Sequence, residues 1–188
     1  MKIHIAYKFK DGPWGGGNQF LKALRDGLVK KGVYSVSLEE ANIILFDSYQ
    51  NIRGLFLSWL LHHSKKRIYR LGPVFHLHRG KKWKLVDIAV IFAANFFADL
   101  VIFQSRWSYK QALELGFRRK KKYFIIPNAV DDSLFYRKQY PIKNQLERVQ
   151  LVYSSWSSNK NKGFSYLKFL DEKTSFWEDL QVIWKCPE

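Results

Sequence analysis

Residues 2–32 read KIHIAYKFKDGPWGGGNQFLKALRDGLVKKG. The stretch begins with a short apolar run of the kind that forms a strand. A second run, 18–31, has apolar side chains at helical spacing and ends at Gly32, a common C-terminal stop. Between the two runs lie three glycines, from Gly15 to Gly17. A strand, a glycine-rich turn and a helix in this order predict the first βα unit of an α/β protein.

The same alternation continues downstream, where short apolar runs are separated by segments of helical period. The predicted strands are 2–6, 43–46, 66–70, 100–103 and 123–126. Strands that alternate with helices in this way form a parallel sheet with helices on both faces. We therefore expect a Rossmann-like, doubly wound parallel sheet.

A polar stretch, 137–148, contains a proline and predicts a linker between two domains. The first domain would span 1–136. The second, 149–188, has room for one βαβ unit, with strands at 149–153 and 180–184 around a helix at 162–170. One such unit cannot close a sheet by itself. The sequence thus predicts a complete α/β domain followed by the start of a second one.

Two apolar segments are candidates for contact with a membrane. Residues 85–103 have nearly the length of a membrane span, but three polar residues interrupt them, so they predict a buried helix followed by a strand. Residues 55–61 are too short to span. We expect them to pack in the core, although an amphipathic segment on a membrane surface is an alternative.

The composition favours a folded protein with anionic partners. The 188 residues include 32 Lys and Arg against 16 Asp and Glu, a net charge of +16. Such a charge attracts nucleic acid, an anionic membrane surface or phosphorylated small molecules. The lone Cys186 cannot form an internal disulfide and the N-terminus lacks a signal peptide, so we expect a cytoplasmic protein.

The turn Gly15, Gly16, Gly17 and Asn18 is the first candidate site. It lies where an α/β fold brings backbone N–H groups and a helix N-terminus to an anion or a sugar hydroxyl. A tight turn that needs positive φ is the alternative. The pattern is not GxGxxG, and Asp47 does not clearly end the second strand, so an NAD enzyme is disfavoured.

Arg70 is the second candidate because it ends a predicted strand, at the edge where open α/β sheets bind ligands. Its fork of donors suits phosphate or carboxylate. A surface arginine before a turn is the alternative. Four histidines lie nearby in the sequence, without Cys, Asp or Glu at ligand spacing, so no metal site is predicted. They are His62, His63, His76 and His78.

A third candidate is the loop from Ser154 to Gly163, which joins a strand to a helix. Its hydroxyl groups, Lys162 and Gly163 are typical of a phosphate site, and a solvated basic loop is the alternative. The spacing is not that of a Walker A loop. Basic runs such as 118–122 lack the exposed stacking aromatics or reading helix of nucleic-acid readers, so nucleic acid is not an expected partner.

Five segments together resemble the retaining GT-B-type glycosyltransferases (group 1, or family 4-like), especially bacterial enzymes that build surface polysaccharides. The segments are GGGNQF (15–20), RLGP (70–73), ADLVIFQSRWSYKQALELG (98–116), IIPNAVDDSLF (125–135) and YSSWSSNKNKGFSYLKFLD (153–171). The resemblance implies an N-terminal domain that binds the acceptor and a C-terminal domain that binds the nucleotide sugar. Transfer would occur in the cleft between them, with retention and without a metal or other cofactor.

The resemblance also implies roles for single residues. Gly16 and Gly17 fall on the family's cleft loop. Lys162 and Gly163, with Ser155 in the same loop, fall on the segment that contacts the donor diphosphate, where a lysine would neutralise charge on the leaving group. No nucleophile stands out, so the catalytic residues are not predicted.

Several positions depart from the family pattern. Arg70 lies in a segment that relatives often write H-R-x-D-G-P, but Tyr69 replaces the His and the Asp is missing. Trp156 stands where many members have an arginine. The chain also ends at Glu188, before the family's segment for the donor ribose and sugar.

We therefore predict a hexosyltransferase-type enzyme that acts on a glycan or lipid-linked acceptor, with possible peripheral contact on the inner face of the membrane. The alternative is a catalytically incompetent acceptor-binding fragment, or a subunit that needs a separate C-terminal half. That alternative predicts self-association or a partner protein, because a cut domain exposes an apolar interface.

Overall fold

A computed structural model describes residues 1–12, 15–129, 149–154, 163–173 and 180–185. The chain divides into two compact units, Met1–Asp131 and Asp132–Glu188. The predicted linker, 137–148, lies outside the described residues, as do Ser155 and Lys162. The domain boundaries therefore stay predictions.

The first unit is built on five parallel strands that neighbour one another in chain order. They are β1 (Ile3–Ile5), β2 (Ile43–Asp47), β3 (Lys66–Leu71), β4 (Leu100–Phe103) and β5 (Tyr123–Ile125). Each lies within one residue of its predicted bounds. The α/β class is confirmed, because short apolar runs bounded by turns form the buried strands of a parallel sheet.

Five helices connect these strands. They are α1 (Gly16–Lys30), α2 (Ile52–Leu61), α3 (His76–Arg79), α4 (Lys84–Phe96) and α5 (Arg106–Glu114). The start of α5 is fixed by a capping box, in which the Ser105 and Ser108 side chains each bond to the other residue's backbone N–H. No described helix is both long and apolar enough to cross a bilayer.

The winding of the sheet reverses next to β1. After α1 the chain pairs Tyr34 with Ile3 in a parallel bridge, and it then crosses to β2. Residue 34 and β2 thus lie on opposite sides of β1. Because parallel crossovers are right-handed, the helices before and after this reversal lie on opposite faces of the sheet.

Two separate cores confirm that the sheet is doubly wound. On one face, Leu21 of α1 packs in a cluster with Ile5 and Leu45. On the other face, side chains of α2, α4 and the α5 region share a larger cluster with Tyr69 and Phe103. The point where the winding reverses, between β1 and β2, is where open α/β sheets bind ligands.

The second unit contains β6 (Val149–Ser154), α6 (Phe164–Lys173) and β7 (Leu180–Lys185). β6 and β7 pair in parallel from Val149 opposite Leu180 to Ser154 opposite Lys185. These residues form the βαβ unit that the sequence predicts.

The outer surfaces of α2 and α4 differ from the prediction. Residues 55–61 were expected in the core, but in α2 only Leu55 and Ser58 are buried. The predicted buried helix, α4, buries one side and exposes apolar residues on the other. The prediction is wrong here because a helix on a sheet buries only one face, whereas these two helices are apolar on both.

Candidate functional site

The carboxyl ends of the strands gather two features beside the winding reversal: the glycine-rich start of α1 and a layer of polar side chains. Gly15 precedes α1 with φ at +25°, a conformation that favours glycine. The N-cap residue, Gly15, has no side chain to cap α1, and the first turn of the helix has no acidic residue. A Cβ built on Gly16 or Gly17 would meet no atom within 4 Å. The first N–H groups of α1 are therefore placed to donate to an anion.

Asn18 holds this turn in place. Its buried side chain accepts a hydrogen bond from the backbone N–H of Lys10 through Oδ1, and donates to the Lys10 carbonyl through Nδ2, both at 3.0 Å. Gln19 Nε2 donates to the Gly12 carbonyl at 3.1 Å. Asn18 therefore fixes the segment before the glycine turn, and its side-chain oxygen and nitrogen both bond to the Lys10 backbone.

Arg70 lies at the predicted edge of the sheet, and its side chain is held by protein groups. It is 4% exposed and stands directly opposite Asp47 in the sheet register. Nη1 donates to Asp47 Oδ1 at 2.6 Å, and Nη2 donates to Asn128 Oδ1 at 2.9 Å. Its charge is thus balanced by a carboxylate of the neighbouring strand.

Two further groups enclose the Arg70 guanidinium. With the Gln104 amide oriented so that its oxygen faces Arg70, that oxygen accepts from Nη2 at 2.9 Å and from Nη1 at 3.0 Å. On the α1 side, the Arg70 Cζ lies 4.0 Å from the centroid of the Phe20 ring. This polar layer joins α1 and the ends of β2, β3, β4 and β5. A ligand contact by Arg70 stays a prediction, and positioning of the strand ends is what its geometry supports.

The polar layer lies in a poorly solvated region. Burial raises the pKa of the Asp47 carboxyl, although the Arg70 guanidinium opposes that shift. Burial and the nearby Asp47 also raise the pKa of Tyr7. Next to Asp47, Ser48 has φ at +48°, and its carbonyl accepts from the Tyr69 hydroxyl at 2.8 Å. Backbone strain of this kind is often found at functional sites.

A histidine and a buried aspartate form a second arrangement, after β3. Asp87 is 2% exposed and accepts from the backbone N–H groups of Phe75 and His76, both at 2.8 Å. His76 Nδ1 also lies 2.8 Å from Asp87 Oδ2. Because a carboxylate accepts hydrogen bonds, Nδ1 carries a proton, so in the neutral ring the lone pair lies on Nε2. The His76 ring is partly exposed, so Nε2 is placed to accept from a ligand or act as a base.

Arg79, one turn further, lies over an aromatic cluster. Its Cζ is 4.7 Å from the Trp83 ring, 4.9 Å from Phe75 and 5.7 Å from Tyr49. Hydrogen bonds from Gln50 and then Arg79 lower the pKa of Tyr49. The Arg79 guanidinium thus adds one positive charge beside these rings.

Sequence reasoning missed much of this site. The sequence did not place Asp47 clearly at the end of the second strand, but it is the last residue of β2. Gln104 and Asn128 were not singled out. Asp47 lies two residues after Leu45, which packs on the α1 side, and opposite Arg70 in the register, a signal that strand alternation could have given. Gln104 and Asn128 follow the ends of β4 and β5, where strand alternation no longer applies. No local pattern pairs His76 with Asp87, since the partners are eleven residues apart and α3 folds back to join them.

No family model matches the sequence, and no curated protein matches it. Among solved structures, Anabaena HepE in complex with UDP has a TM-score of 0.63 and 15% identity, over 100% of this chain and 70% of the HepE chain. The structure of HepE with UDP-glucose has a TM-score of 0.59 and 15% identity, and the structure with UDP and glucose has a TM-score of 0.60 and 16% identity. Both comparisons cover 98% of this chain and 69% of the HepE chain. At this identity the similarity shows a shared fold.

Proposed function

We propose that this protein is a glycosyltransferase that uses a nucleotide-sugar donor. One observation carries the proposal: the chain shares its fold, over its whole length, with a protein whose crystal structures hold UDP and UDP-glucose. The resemblance of five sequence segments to GT-B-type enzymes agrees with it. We infer further that the enzyme is of the retaining hexosyltransferase type and serves surface polysaccharide synthesis.

In this proposal the first unit receives the acceptor, a glycan or a lipid-linked sugar. The α1 N–H groups at Gly16 and Gly17 would donate to a phosphate or hydroxyl group at the switch point of the sheet. The positive charge around Arg79 suits an acceptor that carries a phosphate. The polar layer around Arg70 would keep these elements in place.

The second unit would bind the donor diphosphate at the start of α6. Gly163 immediately precedes this helix with φ at +80°, a conformation that favours glycine. The ten-residue α6 has no acidic residue in its first turn. Lys162 and Ser155 belong to the same loop in the sequence, so a lysine, a hydroxyl and a helix N-terminus would converge on one anion.

The chemistry would depend on orientation and on stabilising the leaving group. As the sugar leaves, negative charge develops on the nucleoside diphosphate, and Lys162 with the α6 N–H groups would balance it. His76 Nε2 would accept a hydrogen bond from a sugar or acceptor hydroxyl. We assign no nucleophile and no metal to the reaction.

The test is calorimetric titration of the full chain with UDP, GDP and their sugars, together with a donor-hydrolysis assay. We expect saturable binding that persists in EDTA. Lys162→Ala should abolish binding and leave the melting temperature nearly unchanged, because the proposed role is contact with the ligand. Lys160→Ala, in the same loop, is the matched control and should bind normally.

Three results would contradict the proposal. Unfolding caused by Lys162→Ala would make that lysine structural, and equal losses in both lysine variants would reduce its role to general charge. No binding of any nucleotide by the folded protein would favour the alternative, an acceptor-binding module that acts with a separate donor-binding half.

A further inference from the structure

The outer surfaces of α2 and α4 expose large apolar side chains. On α4 these residues recur at intervals of three and four, which places them on one side of the helix. The most exposed of them, Leu85, is 77% accessible. The inner sides of both helices already supply the core, so the fold does not account for them. The exposed apolar residues of this outer face are Phe56, Trp59, Leu60, Leu85, Ile88, Phe92 and Phe96.

Ring contacts make the outer face one continuous surface. Phe97, at the end of α4, lies with its ring centroid 5.2 Å from both Phe56 and Trp59 of α2. It also lies 5.8 Å from Phe92, whose ring is 4.5 Å from that of Phe96. A contiguous apolar surface across two helices marks an interaction site.

The charges around this surface are positive. Lys81, Lys82 and Lys84 lie at the N-terminal end of α4. At the other end, the Arg118 Cζ lies 4.3 Å from the centroid of the Phe96 ring. Residues 48–98, which include both helices, contain a single acidic residue, Asp87, and it is buried. The basic residues at the two ends of α4 form a rim around the apolar surface, and residues 48–98 place no exposed carboxylate beside them.

We propose that the outer face of α2 and α4 docks on an anionic lipid bilayer. The lysines and Arg118 lie where they can contact lipid phosphates, while the aromatic and aliphatic side chains enter the interfacial layer. A second copy of the chain fits this surface poorly, because the basic rims would face each other. The helices lie along the membrane plane, since no described helix is able to span it.

The test is sedimentation of the full chain with phosphatidylcholine vesicles, with and without phosphatidylglycerol, in the absence of nucleotide. We expect binding that requires phosphatidylglycerol and weakens with salt, because each cation near the surface strengthens binding about five-fold. Leu85→Ser with Phe92→Ser should weaken it at least about ten-fold. Lys82→Glu with Lys84→Glu should do the same while touching only exposed side chains.

Matched controls lie outside α2 and α4. Val36→Ser removes an exposed apolar group in the loop after the Tyr34 bridge, and Lys30→Glu with Lys31→Glu makes the same charge change at the end of α1. Both should keep most of the wild-type affinity. The proposal is overturned if the wild type ignores phosphatidylglycerol, or if the controls lose as much as the outer-face variants. It is also overturned if sedimentation without lipid shows a dimer that Leu85→Ser with Phe92→Ser dissolves. Because no sugar transfer is measured, these outcomes are independent of the proposed enzyme activity.

Discussion

At the residue scale, the ion pair formed by Arg70 and Asp47 is buried. Arg70→Ala would leave the Asp47 carboxylate without its counter-ion in a poorly solvated layer. We expect it to lower the free energy of unfolding by about 3 kcal/mol, a typical penalty for breaking a buried ion pair. Urea unfolding of the full chain measures this loss.

The double variant Arg70→Ala with Asp47→Ala is the control for this prediction. It removes both charges and should unfold at higher urea than Arg70→Ala alone, because no unpaired carboxylate remains. If Arg70→Ala instead unfolds like the wild type and loses ligand affinity, Arg70 is a ligand contact and its role in holding the strand ends is wrong.

His76 leads to a different expectation, because its ring is partly exposed. His76→Ala leaves Asp87 with its two backbone N–H donors, so stability should fall by only about 1 kcal/mol. If Nε2 acts on the substrate, donor turnover should fall about 100-fold or more. Thermal melting and the hydrolysis assay separate the two effects. Unchanged turnover, or wholesale unfolding, would remove His76 from the proposed site.

At the element scale, Asp99, directly before β4, ties the start of that strand to β3. Its Oδ2 accepts from the Arg67 backbone N–H at 2.7 Å and from Nε at 2.9 Å, and Oδ1 accepts from Nη2 at 3.0 Å. Burial acts to raise the pKa of Asp99, but the hydrogen bonds and charge of Arg67 outweigh it and lower the pKa below the usual 3.8. The ionised form thus contributes stability above about pH 4, and that stability is lost as the pH falls through the lowered value.

Asp99→Asn tests this linkage. We expect a loss of about 1 kcal/mol at pH 7, reduced by the partial exposure of the carboxylate. The difference from the wild type should shrink as the pH falls below about 4 and through the lowered pKa of Asp99. Urea unfolding across this range measures it. Asp11→Asn, at an exposed ion pair with Lys22, is the control and should change little. A difference that is constant with pH would contradict the linkage.

The elements show how far the sequence alone leads. Strand bounds and helix α1 could be predicted because apolar period and the glycine stops are local signals. The hydrogen-bond partners of Arg70 could not be predicted in the same way. Asp47 and Gln104 meet Arg70 only once the sheet register is known. The exposure of α2 was mispredicted because an apolar segment does not reveal which of its sides has a partner.

At the scale of the whole molecule, excess positive charge is the dominant electrostatic feature. The chain has twice as many basic as acidic side chains, and the carboxylates of Asp47, Asp87 and Asp99 are already engaged within the first unit. The remaining cations repel one another in the folded state. The excess charge attracts anions, whether nucleotide phosphates or lipid headgroups. When no anion is bound, the repulsion lowers the stability of the folded protein.

Salt should therefore stabilise the protein. Raising sodium chloride from low to physiological strength shortens the screening length to about 8 Å and weakens repulsion between exposed charges. If screening recovers about 1 kcal/mol, the melting temperature rises by about 3 °C for a chain of this size. Lys30→Glu with Lys31→Glu lowers the net charge from +16 to +12 and should reduce the response. Scanning calorimetry at several salt concentrations measures both. A melting temperature that falls with salt would mean that attractive ion pairs, such as Arg67 with Asp99, outweigh the repulsion among the cations.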